Sequence, residues 1–273
     1  MANETVSGGQ SDSMFFSNWV GNSILDEMRP HSVTKPLLNI EGRRPSLVFN
    51  WPLQDDPGAA TANQAEGTAF TNTALTTSSQ VATARLNGMV ATVTDVLDAV
   101  SLTDAVSHFA QVLGRSCAEE QEVLLTGLFA NSTGQWSANT LAGFMNGIAD
   151  LEAADATGVL VAVVNPVSLA ALRSGITTGT DTFNSSALRE KDAGVVEAVT
   201  AGRVGMLAGV DVYLTSAATT SCILVKGVAH GIYEVWDIRT ETHRDTFQPG
   251  TQIAATTCYG GATIRASWST DSA

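Results

Sequence analysis

The chain has 273 residues, close to the roughly 250–300 at which single hydrophobic cores stop growing, so one large domain or two lobes both fit. Hydrophobic residues make up 44%, enough for a core, but charged residues are only 15%, against roughly 25% in ordinary globular domains; a surface so sparing with charge points to burial against other subunits. Lys and Arg number 14 against 27 Asp and Glu, a net charge of −13, which excludes the basic footprint that tight, sequence-independent nucleic-acid binding requires.

The apolar run Val159 to Val164 spans six residues, where a membrane span needs about twenty. Met1 to Ser13 carries Glu4 and Asp12 and has neither a basic start nor an apolar stretch, which argues against a secretion signal. Cys117, Cys222 and Cys258 are odd in number, widely spaced and without a CxxC pair, as expected of reduced thiols acting as small buried hydrophobes in a cytoplasmic setting.

Residues 1–45 mix Gly, Ser, Asn and Pro with scattered Phe15, Phe16, Trp19, Val20, Ile24 and Leu25, a composition that reads as an arm docked on other structure rather than a domain. Ser46 to Trp51 reads as a strand, and Gln54 to Gly58 is turn chemistry. The stretch 55–80 is polar apart from Phe70 and Leu75, too long and too poor in apolar groups for an ordinary loop. Alternation resumes through Val81, Thr83, Arg85, Met89, Ala91 and Val93, so 46–95 is expected to be an extended two-stranded β-excursion.

Leu102, Val106, Phe109, Leu113, Cys117, Leu124 and Leu128 recur at helical spacing over 101–131, with Ser101 before Asp104 as a start signature. The opposite face carries Asp104, His108, Gln111, Arg115, Glu119 and Glu122; residues 101–160 hold seven acids against one base. A second helix with the stripe Leu141, Phe144, Met145, Ile148 and Leu151 follows, capped from Ser137 or Asn139. Val159 to Val164 then reads as a strand buried on both faces. Asn165-Pro166 opens a short helix expected to end at Gly175. Residues 175–202 read as loop, with strand character at Gly194 to Val199, and the lobe resumes over Val204 to Leu214. Cys222 to Val225 is a strand. Tyr233 to Asp245 alternates, with Trp236, Ile238, Thr240 and Thr242 on one face and Asp237, Arg239, Glu241 and His243 on the other. Thr251 to Tyr259 and Thr263 to Trp268 flank Gly260-Gly261, a candidate hairpin turn.

The sequence holds no GxSxG, HExxH, GxGxxG, P-loop or CxxC pattern, and no catalytic, cofactor or metal residue is expected. The densest polar constellation, Asp237, Arg239, Glu241, His243 and Asp245, suits either catalytic carboxylates of a soluble hydrolase or a cross-strand or inter-subunit ion-pair ladder, and its alternation favours the ladder. Glu66, in a nearly neutral excursion, fits an anchor to a neighbouring chain better than a catalytic acid. Trp51, Glu66, Phe70, Asp237, Arg239, Glu241 and His243 are therefore the inter-subunit contact candidates.

Ala65-Glu66-Gly67, the run Leu86 to Asp98, Val163-Val-Asn-Pro166 with Leu169 and Leu172, Leu207-Ala-Gly-Val-Asp-Val-Tyr213 and Tyr259-Gly-Gly-Ala-Thr-Ile-Arg265 occur in an order that resembles the major capsid protein of tailed bacteriophages, the Hong-Kong-ninety-seven-type shell fold. The resemblance covers about residues 45–266. It implies an α+β chain with an N-arm at 1–45, a β-hairpin E-loop at 46–95, a peripheral domain with a spine helix at 96–134, an α/β axial domain at 135–225 and peripheral return strands at 226–273. It implies self-assembly as hexamers and pentamers of an icosahedral head, packaged double-stranded DNA contacted weakly against an acidic helix face, and a portal protein, with a decoration protein as a further partner. The short stretch before the E-loop implies a separate scaffolding protein. Residues 46–95 contain no lysine, so no isopeptide cross-linking is expected. An encapsulin-like nanocompartment subunit is the alternative within the fold.

Overall fold

The computed structural model describes residues 32–42, 44–54, 66, 75–95, 105–137, 140–178, 203–245 and 249–272. In chain order the elements are β1 (Asn39–Glu41), β2 (Val48–Gln54), β3 (Thr77–Thr83), β4 (Arg85–Thr94), α1 (Ala105–Gly127), β5 (Gly134–Trp136), α2 (Leu141–Ala153), β6 (Leu160–Val164), α3 (Pro166–Thr178), β7 (Arg203–Leu207), β8 (Val210–Leu214), β9 (Cys222–Val225), β10 (His230–Asp245), β11 (Gly250–Thr263) and β12 (Ser269–Ser272). They form a four-stranded sheet β1-β10-β11-β4, a six-stranded sheet β5-β12-β9-β6-β8-β7, and the separate pair β2-β3. This is an α+β architecture. Most of the expected arm, the excursion tip with Phe70, the Ser101 cap, Asn139 and residues 179–202 lie outside the described residues.

The long helix lies on the four-stranded sheet because its Ala110, Leu113, Cys117 and Ala118 meet Val93, Ile253 and Ala255, and its Leu125 meets Ile232 and Tyr259. It tightens into a 3-10 turn at Leu128–Asn131, where the fully buried Phe129 joins the core of the second sheet with Val161, Val163 and Leu224. One rod thus ties both sheets together, each buried large apolar side chain contributing about 1.5–3 kcal/mol.

In the second lobe Phe144, Ile148 and Leu151 of α2 pack with Trp136, Ala162 and Ile223. Thr140, not Ser137 or Asn139, caps this helix: its Oγ1 accepts from Gly143 N at 3.0 Å. Ser137 instead packs over Gly143, where a Cβ would stand 2.3 Å from its carbonyl oxygen. Asn165 caps α3 as expected, its Oδ1 accepting from Ser168 N at 2.7 Å. That helix runs through Gly175 to Thr178, since an interior glycine costs about 1 kcal/mol without stopping a helix.

Val204 to Leu214, where the lobe resumes, folds as a hairpin, with Ala208 and Gly209 at φ 51° and 84°, the left-handed pair that a tight two-residue turn requires. Three elements differ from their sequence reading. The excursion divides: β2 and β3 pair in register from Val48↔Thr83 to Gln54↔Thr77, whereas β4 leaves them and pairs with β11 from Arg85↔Tyr259 to Thr94↔Gly250. Gly260-Gly261 is not a turn; β11 continues through both to Thr263. A Cβ at Gly260 would stand 2.3 Å from Thr83 O, and one at Gly261 would stand 2.8 Å from Leu128 Cδ1, so these glycines make room for the hairpin on one face and the helix end on the other. Finally, the last residues do not return to the peripheral strands: Ser269–Ser272 pairs with β9 and β5 in the six-stranded sheet.

Candidate functional site

Among the described residues Asp, Glu, His and Cys side chains form no group of three able to hold a metal ion, and no helix is long and apolar enough to cross a membrane. A cavity of about 390 Å³ between β4 and α1 is lined by Leu86, Asn87, Met89, Ser116, Cys117, Glu120 and Thr257. Among the described residues, neither Asp237 nor Glu241 lines this cavity. All three cysteines are free and buried, and burial pushes the Cys222 thiol up to about 12.

The hairpin β2-β3 is rooted by aromatic packing. Phe49 stacks on Tyr233 at 5.3 Å and meets Trp51 edge-on at 4.8 Å. The Tyr233 hydroxyl donates to Ser46 O at 2.6 Å, with Arg44 O at 3.1 Å. Trp51 is only 6% exposed and packs with Ala82, Cys258 and Ile264. Trp51 therefore anchors the hairpin inside its own chain. Glu66 is an exposed turn residue.

The strand β10 carries the remaining candidates. Its pairing with β11 jumps between Glu234 and Trp236 and again between Trp236 and Arg239, so two bulges break the expected alternation. Trp236 moves to the face of Arg239, whose guanidinium lies 4.5 Å from its ring centre, while Ile238 packs beneath α1. Asp237 turns toward Lys35, whose Nζ sits 2.9 Å from it and 2.7 Å from Glu234. Burial alone would lower the Lys35 ammonium's pKa, but Glu234 and Asp237 together leave it raised. Arg239, Glu241 and His243 are exposed and stand opposite Thr256, Ala254 and Gln252 of β11. No cross-strand ionic ladder therefore forms within the chain between these three and β11.

One buried carboxylate escaped the sequence reading. Glu122 was placed on the polar face of the long helix, yet it is 2% exposed. Both its oxygens accept the Thr34 N–H, at 3.0 and 3.1 Å, and one accepts the Thr34 hydroxyl. Burial pushes this carboxyl up, with the Thr34 and Thr215 hydrogen bonds opposing. Beside it Gln121 Nε2 donates to Glu234 at 3.2 Å. Residues 32–35 are thus pinned to the helix and to β10. The missed signal was spacing: Ala118, Glu122, Leu125 and Phe129 follow one helical row, and the other three are buried.

No family model matches this chain, and no curated relative matches it. Solved structures do. A structure from Mycobacterium phage Che8 superposes with a TM-score of 0.65 at 16% identity, over 83% of this chain and 84% of that one. The capsid of the cyanophage P-SCSP1u gives 0.68 at 11% identity, over 86% of each. A virus-like particle from Pyrococcus furiosus gives 0.64 at 11% identity, over 94% of this chain and 99% of that one. With its rooted hairpin, long helix across one sheet and helix-flanked second sheet, this chain has the fold of the tailed-phage capsid proteins.

Proposed function

We propose that the chain is the major capsid protein of an icosahedral phage head, assembling as hexamers and pentamers around double-stranded DNA and residing in the virion after assembly in the bacterial host cytoplasm. The observation that carries this reading is a fold shared with phage structures over more than four fifths of both chains. The form of the molecule supports it. A two-stranded hairpin is marginal alone, and among the described residues nothing covers the outer face of β2-β3, where Val48 is 46% and Val81 51% exposed; laid across an adjacent subunit, that hairpin gains its cover and links the ring. Residues 32–45 then form the root of the N-arm. Glu119 and Glu120 on the exposed side of α1 repel a duplex rather than hold it, which suits a container that releases its genome. A scaffolding protein and a portal protein belong to this reading as partners.

A cargo-enclosing nanocompartment is the second reading, favoured by the near-complete mutual coverage with the virus-like particle. Negative-stain microscopy with light scattering, on the chain expressed with and without its neighbouring genes, tests both. Closed shells or capsomer rings are expected, and nuclease-protected DNA inside them separates genome from cargo. A monodisperse monomer in the presence of a scaffolding partner overturns the proposal. Removing residues 55–74 is expected to leave a folded chain that closes no shells, and denaturing gels of mature particles are expected to show no ladder of covalent multimers.

A further inference from the structure

We propose that Lys35 sets the register of β10. With its ammonium seated between Glu234 and Asp237 the strand keeps both bulges; without it the strand straightens and slides two residues along β11. This is a property of the single chain and does not depend on the shell.

Two pairs of side chains carry it. Glu234 and Asp237 are three residues apart, as are Trp236 and Arg239, and in a regular strand residues three apart point to opposite faces. Here the Lys35 ammonium touches both carboxylates, at 2.7 and 2.9 Å, and the Arg239 guanidinium lies 4.5 Å from the Trp236 ring centre. The extra residues bring each pair together: β10 advances two residues to one of β11 between Glu234 and Trp236, and three to two between Trp236 and Arg239. Lys35 is held beside this stretch by its neighbours, since the Thr34 N–H donates to Glu122 at 3.0 Å and Gln121 Nε2 donates to Glu234 at 3.2 Å. Only 19% of the Lys35 side chain and 13% of that of Glu234 are exposed, so solvent screens the cluster less than an ordinary surface ion pair.

The ammonium decides the balance. Without it, two carboxylates sharing one site repel, and a straight strand relieves this by turning them to opposite faces. The bulges must go together. Loss of one alone carries every later side chain to the other face, setting Arg239, Glu241 and His243 against α1, where Ile238 now packs with Ile253 and Ala255. Loss of both keeps the faces and moves the strand by two residues, about 7 Å. Glu241 then stands opposite Gln252 instead of Ala254, and the Thr256 hydroxyl loses its bond to Arg239 O, 3.2 Å long. The seating of residues 32–35 is thereby converted into the position of three exposed charged side chains.

The test is disulfide formation within the unassembled full chain. Directly opposed Cα atoms of an antiparallel pair are about 4.5–5.5 Å apart and diagonal ones about 7–8 Å, beyond disulfide reach. Glu241→Cys is combined with Ala254→Cys for the present register or with Gln252→Cys for the slid one, and peptide mapping separates either link from the three buried native cysteines. With Lys35 in place, the first pair is expected to link and the second to stay reduced. Lys35→Met is expected to reverse that preference, and Lys35→Arg, which keeps the charge, to retain it. If Lys35→Met yields no soluble chain, Asp237→Lys opens the same cluster from its exposed side and gives the same readout. Persistence of the link to residue 254 in Lys35→Met or, where that variant is insoluble, in Asp237→Lys overturns the proposal and leaves packing as the cause of the bulges. Loss of both links with fast hydrogen exchange along β10 also overturns it, since Lys35 would then support strand pairing as a whole and not its register.

Discussion

Gly260→Ala is the sharpest local test of the fold, because a turn and a through-strand assign opposite reasons to the same residue. In the structure the new methyl carbon lands 2.3 Å from Thr83 O, 2.6 Å from Thr83 C and 2.9 Å from Ala84 N, all backbone atoms at the root of β3. These cannot rotate away. Replacing glycine in a compatible conformation stabilises by about 0.4–1 kcal/mol through the unfolded chain, whereas forced overpacking costs about 1–3 kcal/mol or more. The net loss is therefore about 1–2 kcal/mol, with the damage falling on the Ala84 N–H bond to Leu47 O, 2.7 Å long. Gly261→Ala meets instead the end of the Leu128 side chain at 2.8 Å, which can rotate, and is expected to cost less. Guanidinium denaturation of the unassembled chain, with hydrogen exchange at Ala84, measures both. A neutral Gly260→Ala, or a Gly261→Ala that costs more, would refute the reasoning and return the pair to a turn.

Three further outcomes follow from the same contacts. Tyr233→Phe strips the hydroxyl that serves Ser46 O and Arg44 O and is expected to cost about 1–2 kcal/mol, seen as faster exchange in β2 and β3 with little change in the six-stranded sheet. His230 is held down to about 4 by burial, so the folded state binds its proton more weakly than the unfolded one; stability is full above about pH 6.5 and falls by about 3 kcal/mol as pH drops through 4. His230→Gln is expected to flatten that fall in denaturation curves taken across the range. Glu122 titrates the other way: its carboxyl is pushed up by burial, so its contribution is greatest below the ordinary carboxylate value of 4.5 and declines as pH rises above it. Glu122→Gln is expected to remove that decline, and an unchanged slope counts against the buried carboxylate.

What could be read from the sequence, and what could not, divides by the range of the interaction. The long helix, the Asn165-Pro166 start and the buried strand Leu160–Val164 are set by spacing and by caps within a few residues, and they stood where the pattern put them. Gly260-Gly261 misled because periodicity reports that a side chain is missing, not whether its absence serves a left-handed φ or a neighbour's backbone. The bulges at Glu234–Arg239 were invisible, since register depends on the partner strand. β4 was assigned to the hairpin for the same reason: strand character is local, but the choice between β3 and β11 as partner is not. Of the contact candidates, Arg239, Glu241 and His243 are exposed on one edge, while Trp51 turned inward. An indole signals a large buried area and says nothing about whose atoms bury it.

The chain's shortage of charge is concentrated in the hairpin. β2 (Val-Phe-Asn-Trp-Pro-Leu-Gln) and β3 (Thr-Ser-Ser-Gln-Val-Ala-Thr) contain no charged residue. Their inner face, Phe49, Trp51 and Leu53, is spent on the hairpin's own root. Their outer face sets Val48 opposite Thr83, Asn50 opposite Val81 and Pro52 opposite Ser79. A solvated surface strand ordinarily carries Lys or Glu there, as a guard against wrong pairing. Covering such charges by another chain would cost several kcal/mol per unpaired ion, whereas hydroxyls, amides and methyl groups can be covered with little loss where hydrogen bonds are replaced. The neutral hairpin is thus a surface that another chain could cover at little cost.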